Sequence, residues 1–475
     1  METIIHQIAT KFIEQVLGKL SGTGIGNIGQ TIAELLPSVN AVVLEIVGAA
    51  IREADDALVA ATHTRKADGL RVKERGVPRA ILTCLGELRY ERTYFETRSK
   101  DRCYLIDRLI GVEAYERISK ELCASLVQAA AGMSMEKSAK GGVVQVSRQT
   151  VDNKVLALKE VAAEAKPARE TPGALHIFAD EDHVHMKGGR NAIVPLVTVT
   201  EGIDAAQKRH KTINPMHFTG YGISPGSFFE GISSSLYEMY SMGQVKTVYV
   251  HADGGQWIQA AHGWLPNVKF VADGFHVQRR LKHVSRLKGA AAYMGTMRKS
   301  IRDNDLGRFA SCCAKIREMQ GARGRELLGD NEGFIRNHWD AIVLRMSGEV
   351  CGSCTEPLVS HVLSWRLSRN PLAWSEHGIR QMAMLRVYVA NGGVIKAGDI
   401  RVSRGKDELG ADKKTFFLEG FAKYRAYADK QIGDTLNPRR DWGIFSGQPF
   451  HYGKLDGTAI LLKAWGTSRD VLSSA

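Results

Sequence analysis

The stretch QVKTVYVHADGG, residues 244–255, decides the fold class predicted for this chain. An apolar, β-branched run ends in Asp253 and two glycines, which is typical of a buried strand that turns into a helix. ALHIFAD (174–180) and NVKFVADGFH (267–276) repeat the pattern of a strand that ends in an acid, and NAIVPLVTVTEG (191–202) predicts a further strand. These runs predict an α/β domain from residue 174 onward.

The acids at the strand ends are the candidate chemical groups. A carboxylate beside a buried strand costs free energy unless it is paired or bound to a metal, and open sheets place their ligands at the carboxyl ends of strands. We expect Asp180 and Asp253 to lie together there, although Asp182 competes with Asp180 for the first position. Glu356 follows Thr355, a candidate N-cap, in the first turn of a later helix and is the candidate third acid; Glu376 is a weaker one.

Each of these acids also has an ordinary structural explanation. An Asp after a strand commonly caps a helix, and a Glu in the first turn is favoured by the helix dipole. Three carboxylates that met at one place would instead form a cage of hard oxygen ligands suited to Mg²⁺.

The overall composition and charge predict a soluble protein that binds nucleic acid. The chain has 475 residues, a formal net charge of +13 and a pI near 9.3, which favour a polyanionic partner. The seven cysteines are irregularly spaced, which argues against a secreted disulfide framework. The N-terminus is not typical of a signal peptide, and the apolar stretch 41–51, interrupted by Glu45, is too short to cross a bilayer. We expect a cytoplasmic, nucleoid-associated protein.

The N-terminal part is predicted to be mainly helical. Gly24, Gly26 and Gly29 fit GxGxxG, but the segment before them has helical spacing, so we interpret them as an interhelical loop. AILTCLGELRYERTYFET (80–97) predicts a hairpin that turns at Gly86. Its Arg and Tyr residues suit either nucleic acid or an ordinary exposed face.

Two segments are candidate DNA contacts. GGVVQVSRQTVDNKVLALKE (141–160) predicts a turn and a helix capped by Ser147, which resembles a helix-turn-helix, although other helical hairpins look similar. From Gly274 to Arg302 there is no acid, and a solvated helix face normally mixes signs. The candidate DNA-binding residues are Ser147, Arg148, Gln149, Asn153, Arg279, Arg280, Lys282 and Arg286.

Composition and predicted elements divide the chain at several places, the clearest being the linker AKPARETPG (165–173). The predicted parts are an N-terminal helical region (1–65), a β-hairpin region (66–105), a helix-turn-helix-like region (106–165), the first part of the core (174–276), a helical insertion (277–350), a second core part with the Glu356 helix (351–400) and a C-terminal region of unknown role (401–475).

Three blocks carry a resemblance to a known family: VYVHADGGQWI (248–258), FVADGFHVQRRL (270–281) and CTEPLVSHVLSWRLSRNPLAWS (354–375). Two acid-ended strands, a DxxH and a distant Glu resemble a DDE transposase with a ribonuclease-H-like core. The DxxH, Asp273 to His276, resembles the element of Mutator-like relatives. The blocks together resemble a bacterial insertion-sequence family of the Lre-two type, formerly an uncharacterised protein family.

The resemblance implies a catalytic triad of Asp180, Asp253 and Glu356. These residues would hold two Mg²⁺ ions, for which Mn²⁺ can substitute, and would cut and join DNA at the ends of an insertion sequence. Asp273 and His276 would be auxiliary. It further implies a helical insertion before Glu356, DNA partners (terminal repeats and target) and a homo-oligomer on DNA. One departure is Pro357, where family members usually have Gly.

Two alternatives remain at this point. A DNA-binding regulator with a degenerate nuclease-like core would share the basic charge and the helix-turn-helix, but it would have no use for three acids aimed at phosphates. A structure-specific nuclease of the same fold would cut without joining.

Overall fold

The chain is an α/β protein with a helical N-terminal region, as the sequence predicts. The structure is a computed structural model, and it describes residues 2–23, 28–204, 211–350, 352–369 and 372–401. The described residues form two compact units, one up to Ser119 and one from Lys120 onward. Residues 401–475 were assigned no role from the sequence, and all of them after Arg401 lie outside the described ranges.

The first unit places a helical hairpin and a short helix before an antiparallel sheet. Its elements are α1 (Glu2–Thr23), α2 (Ile28–Ala60), α3 (Thr62–Ala67), β1 (Arg71–Thr83), β2 (Gly86–Glu96), β3 (Arg102–Cys103) and α4 (Leu105–Leu109). Helices flank the glycine segment on both sides, as its interpretation as an interhelical loop requires, although residues 24–27 themselves lie outside the described residues.

The hairpin predicted at Gly86 is confirmed. Thr83 pairs with Gly86 across a two-residue turn, and Gly86 has a φ of +143°, which a side chain would disfavour. Tyr90 and Phe95 of β2 are buried, and Arg92 pairs with the buried Asp107. Several of the basic and aromatic side chains on this strand therefore pack inside the unit.

One helix among the described residues, α2, is long and apolar enough to cross a membrane, judged by length and composition alone. The stretch 41–51, which by itself is too short to cross a bilayer, is part of this longer helix, and Pro37 does not end it. Core helices of soluble proteins and signal sequences pass the same test. In this unit α2 packs against β2, and Asp55 accepts a hydrogen bond from the buried Thr93.

The second unit begins with three short helices that pack on one another, α5 (Lys120–Gly132), α6 (Met135–Lys140) and α7 (Arg148–Leu156). The prediction that Ser147 caps a helix is confirmed, because its side chain accepts a hydrogen bond from the Thr150 backbone N–H. Val151, Val155 and Leu158 are buried, as the amphipathic pattern predicts.

A five-stranded sheet forms the centre of the second unit. Its strands are β4 (Ala174–His185), β5 (Asn191–Thr200), β8 (Met216–Thr219), β9 (Thr247–Ala252) and β10 (Val268–Ala272), and the pair β6 (Gly202–Asp204) and β7 (Lys211–Ile213) lies apart. The order across the sheet is β10-β9-β4-β5-β8. The β10, β9 and β4 strands are parallel, whereas β5 is antiparallel to both β4 and β8.

The two faces of this sheet differ in chemistry because side chains alternate along each strand. Ile177, Ala179, Val248 and Val250 point into an apolar core closed by α8 (Pro225–Met239) and α9 (Ala261–Trp264). The opposite face carries polar residues, among them His176, Asp180, Asp182, His251 and, beyond the end of β9, Asp253. One face therefore stabilises the sheet, and the other presents its acids.

The segment between β10 and Glu356 is helical, as predicted for residues 277–350. It contains α10 (Gly274–Ser285), α11 (Met294–Arg302), α12 (Leu306–Glu318), α13 (Ala322–Asn337) and α14 (Trp339–Ser347). These helices share a core of their own, centred on Phe309, Ile316 and Ile335.

The chain then returns to the sheet. It does so through α15 (Thr355–Val359), a wide π-type turn at 360–364 and α16 (Trp365–Leu367), and α17 (Glu376–Ala390) follows. The α15 helix packs against β4, and α17 packs against β8, α5 and α7. Thr355 is the first residue of α15 and not its N-cap, because its hydroxyl shares a hydrogen bond with Ser353.

Candidate active site

Neighbouring parallel strands bring the predicted acids together near the carboxyl ends of the parallel strands. Phe178 of β4 lies opposite His251 of β9, and two residues further along the chain come Asp180, inside β4, and Asp253, just after β9 ends. Asp273 follows β10 directly, and its backbone N–H donates to the carbonyl oxygen of Ala252, one residue before Asp253. The strand register therefore places Asp180 and Asp253 side by side.

Glu356 comes to the same part of the sheet from a later helix. It lies in the first turn of α15, which packs on β4. Its Oε1 is 3.6 Å from Nε2 of His276, in the first turn of α10. The structure thus brings Glu356 and His276 into contact, although 80 positions separate them in the sequence.

The electrostatics of Asp180 show that the acids influence one another. Burial, together with the negative charges of Asp253, Glu356 and Asp273, raises the pKa of the Asp180 carboxyl to about 7, against a hydrogen bond from the Glu181 backbone N–H that lowers it. A carboxyl in that position holds its proton near neutral pH unless a positive charge is brought to it.

Asp182 lies on the same face as Asp180 but has different partners. Its Oδ1 accepts hydrogen bonds from Ser364 and Ser368 at 2.9 and 2.8 Å, and the residue is buried. The pKa of Asp182 is raised, with burial as the main cause and the two serines opposing it; Asp253 and Glu356 are not among the causes. Asp182 therefore connects β4 to the helix after Glu356, and Asp180 is the acid that faces the others.

Asp273 is held by hydrogen bonds on both of its oxygens. Its Oδ1 accepts from the Phe275 backbone N–H at 2.7 Å, which caps α10, and its Oδ2 accepts from Ser353 at 2.7 Å. Because Ser353 lies three residues before Glu356, Asp273 ties the start of α10 to the start of α15. This geometry suits an auxiliary, positioning role.

The turn after Asp253 packs against His338. Asp253 accepts a hydrogen bond from the Gly255 N–H at 3.0 Å, and Gly254 has a φ of +100°. A side-chain carbon at position 254 would lie 2.5 Å from Nε2 of His338, at the end of α13. No sequence signal marked His338, because its contact with this turn is purely tertiary.

Arg345 was also missed. Its guanidinium lies against Gly274, and it lines a cavity of about 510 Å³ together with Asp273, Phe275 and Glu356. Arg345 is the one arginine of α14, a helix of mixed composition, so nothing in the sequence distinguished it from the other arginines of the segment.

The chemistry of the three acids suits a divalent cation, but their present positions do not form a complete binding site. Asp180, Asp253 and Glu356 supply the hard oxygen ligands that Mg²⁺ prefers, and the raised pKa of Asp180 marks a place where positive charge would be stabilising. In the described ranges, however, no three His, Cys, Asp or Glu side chains are arranged to hold one ion as they stand. For the three acids to bind one ion, the half-exposed Glu356 side chain would have to turn from His276 toward the aspartates.

The predicted DNA-binding residues fall at two separate places in the second unit. Ser147, Arg148, Gln149 and Asn153 are exposed at the start of α7, where Gln149 donates to Asn153 at 2.9 Å. Arg279, Lys282 and Arg286 are exposed on or directly after α10. Arg280 is only partly exposed, because its guanidinium stacks 4.7 Å from the ring centroid of Phe334.

Comparison with known proteins identifies relatives over most of the chain. Residues 23–404 match the model of UPF0236, an uncharacterised protein family. A UPF0236 protein of Caldanaerobacter subterraneus subsp. tengcongensis is 30% identical over 406 residues, covering 83% of this chain and 86% of its own length. Another protein of that organism, whose name combines eleven locus designations, is 30% identical over 407 residues and is covered to 85%. A UPF0236 protein from the vanSb 3′ region of Streptococcus gallolyticus is 22% identical over 338 residues, covering 66% of this chain and 73% of its own length.

Proposed function

Because this chain belongs to the UPF0236 family, whose members recur at several loci of one genome, we propose that it is the DDE transposase of an insertion sequence. It would cut and join DNA at the ends of its element by metal-dependent phosphodiester chemistry. The observation that carries the proposal is the coupling of Asp180 to Asp253 and Glu356 at the edge of a central sheet.

The topology of the sheet supports a ribonuclease-H-like core. In such a core, three antiparallel strands continue into two parallel strands, with the first strand at the centre. The order β8-β5-β4-β9-β10, with β4 central, has that arrangement. It puts one acid on the central strand and one after its parallel neighbour, and the third comes from a helix that returns after the α10–α14 segment.

The roles of the residues follow from their contacts. Asp180, Asp253 and Glu356 would hold the Mg²⁺ ions; the chemistry these supply when bound is activation of the attacking oxygen and stabilisation of the leaving oxygen. His276 contacts Glu356 and orients its carboxylate, while Asp273 and Ser353 hold the starts of α10 and α15 together. The exposed cations of α10 would neutralise the DNA backbone.

The decisive experiment incubates the purified protein with the DNA that flanks its own gene and with Mg²⁺ or Mn²⁺. We expect strand nicking and joining that fall by about 100-fold or more in Asp253→Ala, Asp180→Asn and Glu356→Gln, while DNA binding survives. Glu376→Gln is the matched control, because this exposed acid lies at the start of α17 and is not among the groups that raise the pKa of Asp180.

The possible outcomes separate this proposal from its alternatives. Nicking without joining would identify a nuclease. DNA binding without either reaction in the wild type would favour a regulator. Undiminished joining by Asp253→Ala would reject the assigned site.

A further inference from the structure

We propose that the cavity beside Glu356 binds one nucleotide of the DNA strand with its base unstacked from its neighbours. The ring of Phe275 would hold the base, and the guanidinium of Arg345 would hold an adjacent phosphate. This inference rests on the proposed function, since it names how the strand is held at the same site.

The cavity has the size and lining that a nucleotide requires. Its volume is about 510 Å³, within the range of small-molecule sites. Buried Val277 and Ile342 and the exposed Met346 supply apolar surface, whereas Gln278 and Thr355 supply polar groups. An apolar pocket with a few hydrogen-bonding groups suits a base, which has an apolar face and a polar edge.

Phe275 is unusually exposed for its type. It lies in the first turn of α10 and is 56% exposed, although the neighbouring Val277 is buried. Its ring meets that of His276 edge-on, with 5.4 Å between centroids, and His276 contacts Glu356. An exposed ring one residue from the site is a surface on which a base can stack, as in proteins that bind single strands.

Arg345 is the cation of this cavity. In the part of the chain that the structure describes it forms no ion pair, and its buried Nε has no hydrogen-bond partner. Arg317 and Arg336 of the same helical segment are different, because both pair with Glu332. Since an arginine fork matches the geometry of a phosphate, Arg345 is available for one.

The charges explain why the ligand would be part of a strand. Asp273 and Glu356 line the same cavity as Arg345, so a small free anion would meet repulsion as well as attraction. A nucleotide within a strand is brought there by contacts elsewhere along its backbone. The base of that nucleotide then requires only the apolar wall of the cavity and the ring of Phe275.

The first test measures binding of a fluorescein-labelled oligothymidylate and of a duplex of equal length, in EDTA. We expect Phe275→Leu to weaken binding of the single strand by about 5- to 100-fold, the range for loss of one stacked base, with little effect on the duplex. Phe275→Tyr should retain binding, because it keeps the ring. Arg345→Gln should reduce the salt slope for the single strand by about 0.7, as loss of one phosphate contact requires.

Matched controls lie in the same unit. Tyr237→Leu removes another exposed ring, on α8 across the sheet, and Arg308→Gln removes an arginine already paired with Asp303 and Asp305. Neither should change binding. Equal single-strand affinity for wild type and Phe275→Leu would overturn the proposal.

A second measurement requires no variant. Ultraviolet crosslinking with 5-iodo-2′-deoxyuridine in the oligonucleotide, followed by peptide mass spectrometry, should label the peptide that contains Phe275. Labelling confined to other peptides would overturn the nucleotide site and leave the nicking assay with Asp253→Ala unaffected. Conversely, a strand bound at Phe275 by a protein that does not nick DNA would reject the enzyme and keep the nucleotide site.

Discussion

At the scale of single residues, the site distinguishes two aspartates that look equivalent in the sequence. Asp180 and Asp182 lie on the same face of β4, and strand alternation cannot separate them. In the structure the neighbours of the two aspartates differ. Ser364 and Ser368 donate hydrogen bonds to Asp182, whereas the charges of other carboxylates act on Asp180. Information of this kind comes from a helix more than 180 positions later, which is why a local pattern could not supply it.

The raised pKa of Asp180 predicts a specific pH dependence of stability. The folded pKa of about 7 exceeds the ordinary value of 3.8, so the stability this carboxyl contributes is complete below about pH 4 and is lost as the pH rises through 7. Without divalent cations, Asp180→Asn should therefore gain stability relative to wild type, by roughly 2–4 kcal/mol between those limits. Thermal unfolding across this pH range measures the gain. A difference that does not change with pH would contradict the cause assigned to the shift.

At the scale of elements, the sequence predicted what local chemistry determines. The hairpin turn at Gly86, the cap at Ser147 and the ends of β9 and β10 beside Asp253 and Asp273 follow from glycine conformation, side-chain capping and hydrophobic period, and all are confirmed. The predicted end of the first strand at Asp180 is wrong, because β4 continues to His185 in its pairing with β5. The start of α15 was misplaced by one residue, because Thr355 bonds to Ser353 and not to its own helix. His338 and Arg345 could not be predicted, since their contacts with the site arise only when the α10–α14 segment packs.

The α10 helix gives a prediction that separates two adjacent arginines. Arg279 is exposed, and Arg279→Gln should lower the salt slope of duplex binding by about 0.9 without affecting stability. Arg280 stacks on Phe334, so Arg280→Gln should cost about 0.5–1 kcal/mol in stability. Salt titrations and thermal melts of both variants test this. An unchanged slope for Arg279→Gln would show that this side chain does not face the backbone of DNA.

At the scale of the whole molecule, the helices before the sheet belong to the second unit. Arg366 donates to the carbonyl oxygen of Ala130, and Arg386 donates to that of Ala131, so two buried or half-buried arginines depend on α5. The Ile395 N–H likewise donates to Gln128 at 2.9 Å. The candidate helix-turn-helix is therefore packed on the same body that carries the acids.

This arrangement predicts which fragments fold. Residues 120–401 should give a cooperative thermal transition when expressed alone, because they contain both the sheet core and the core of the α10–α14 segment. A fragment that begins at residue 174, after the linker, should melt lower or aggregate, since it leaves the buried Arg366 without its acceptor on Ala130 and removes one of the three acceptors of Arg386. Circular dichroism melts of the two fragments make the comparison. Equal melting temperatures would show that α5–α7 form an independent domain.

The contact between Gly254 and His338 has an evolutionary consequence. The imidazole fills the space that a side chain at position 254 would need, and the backbone there has a φ that favours glycine. The two positions lie 84 residues apart, at opposite ends of a long helical detour. A larger residue at position 254 would therefore require a smaller one at position 338, so the two positions are expected to change together.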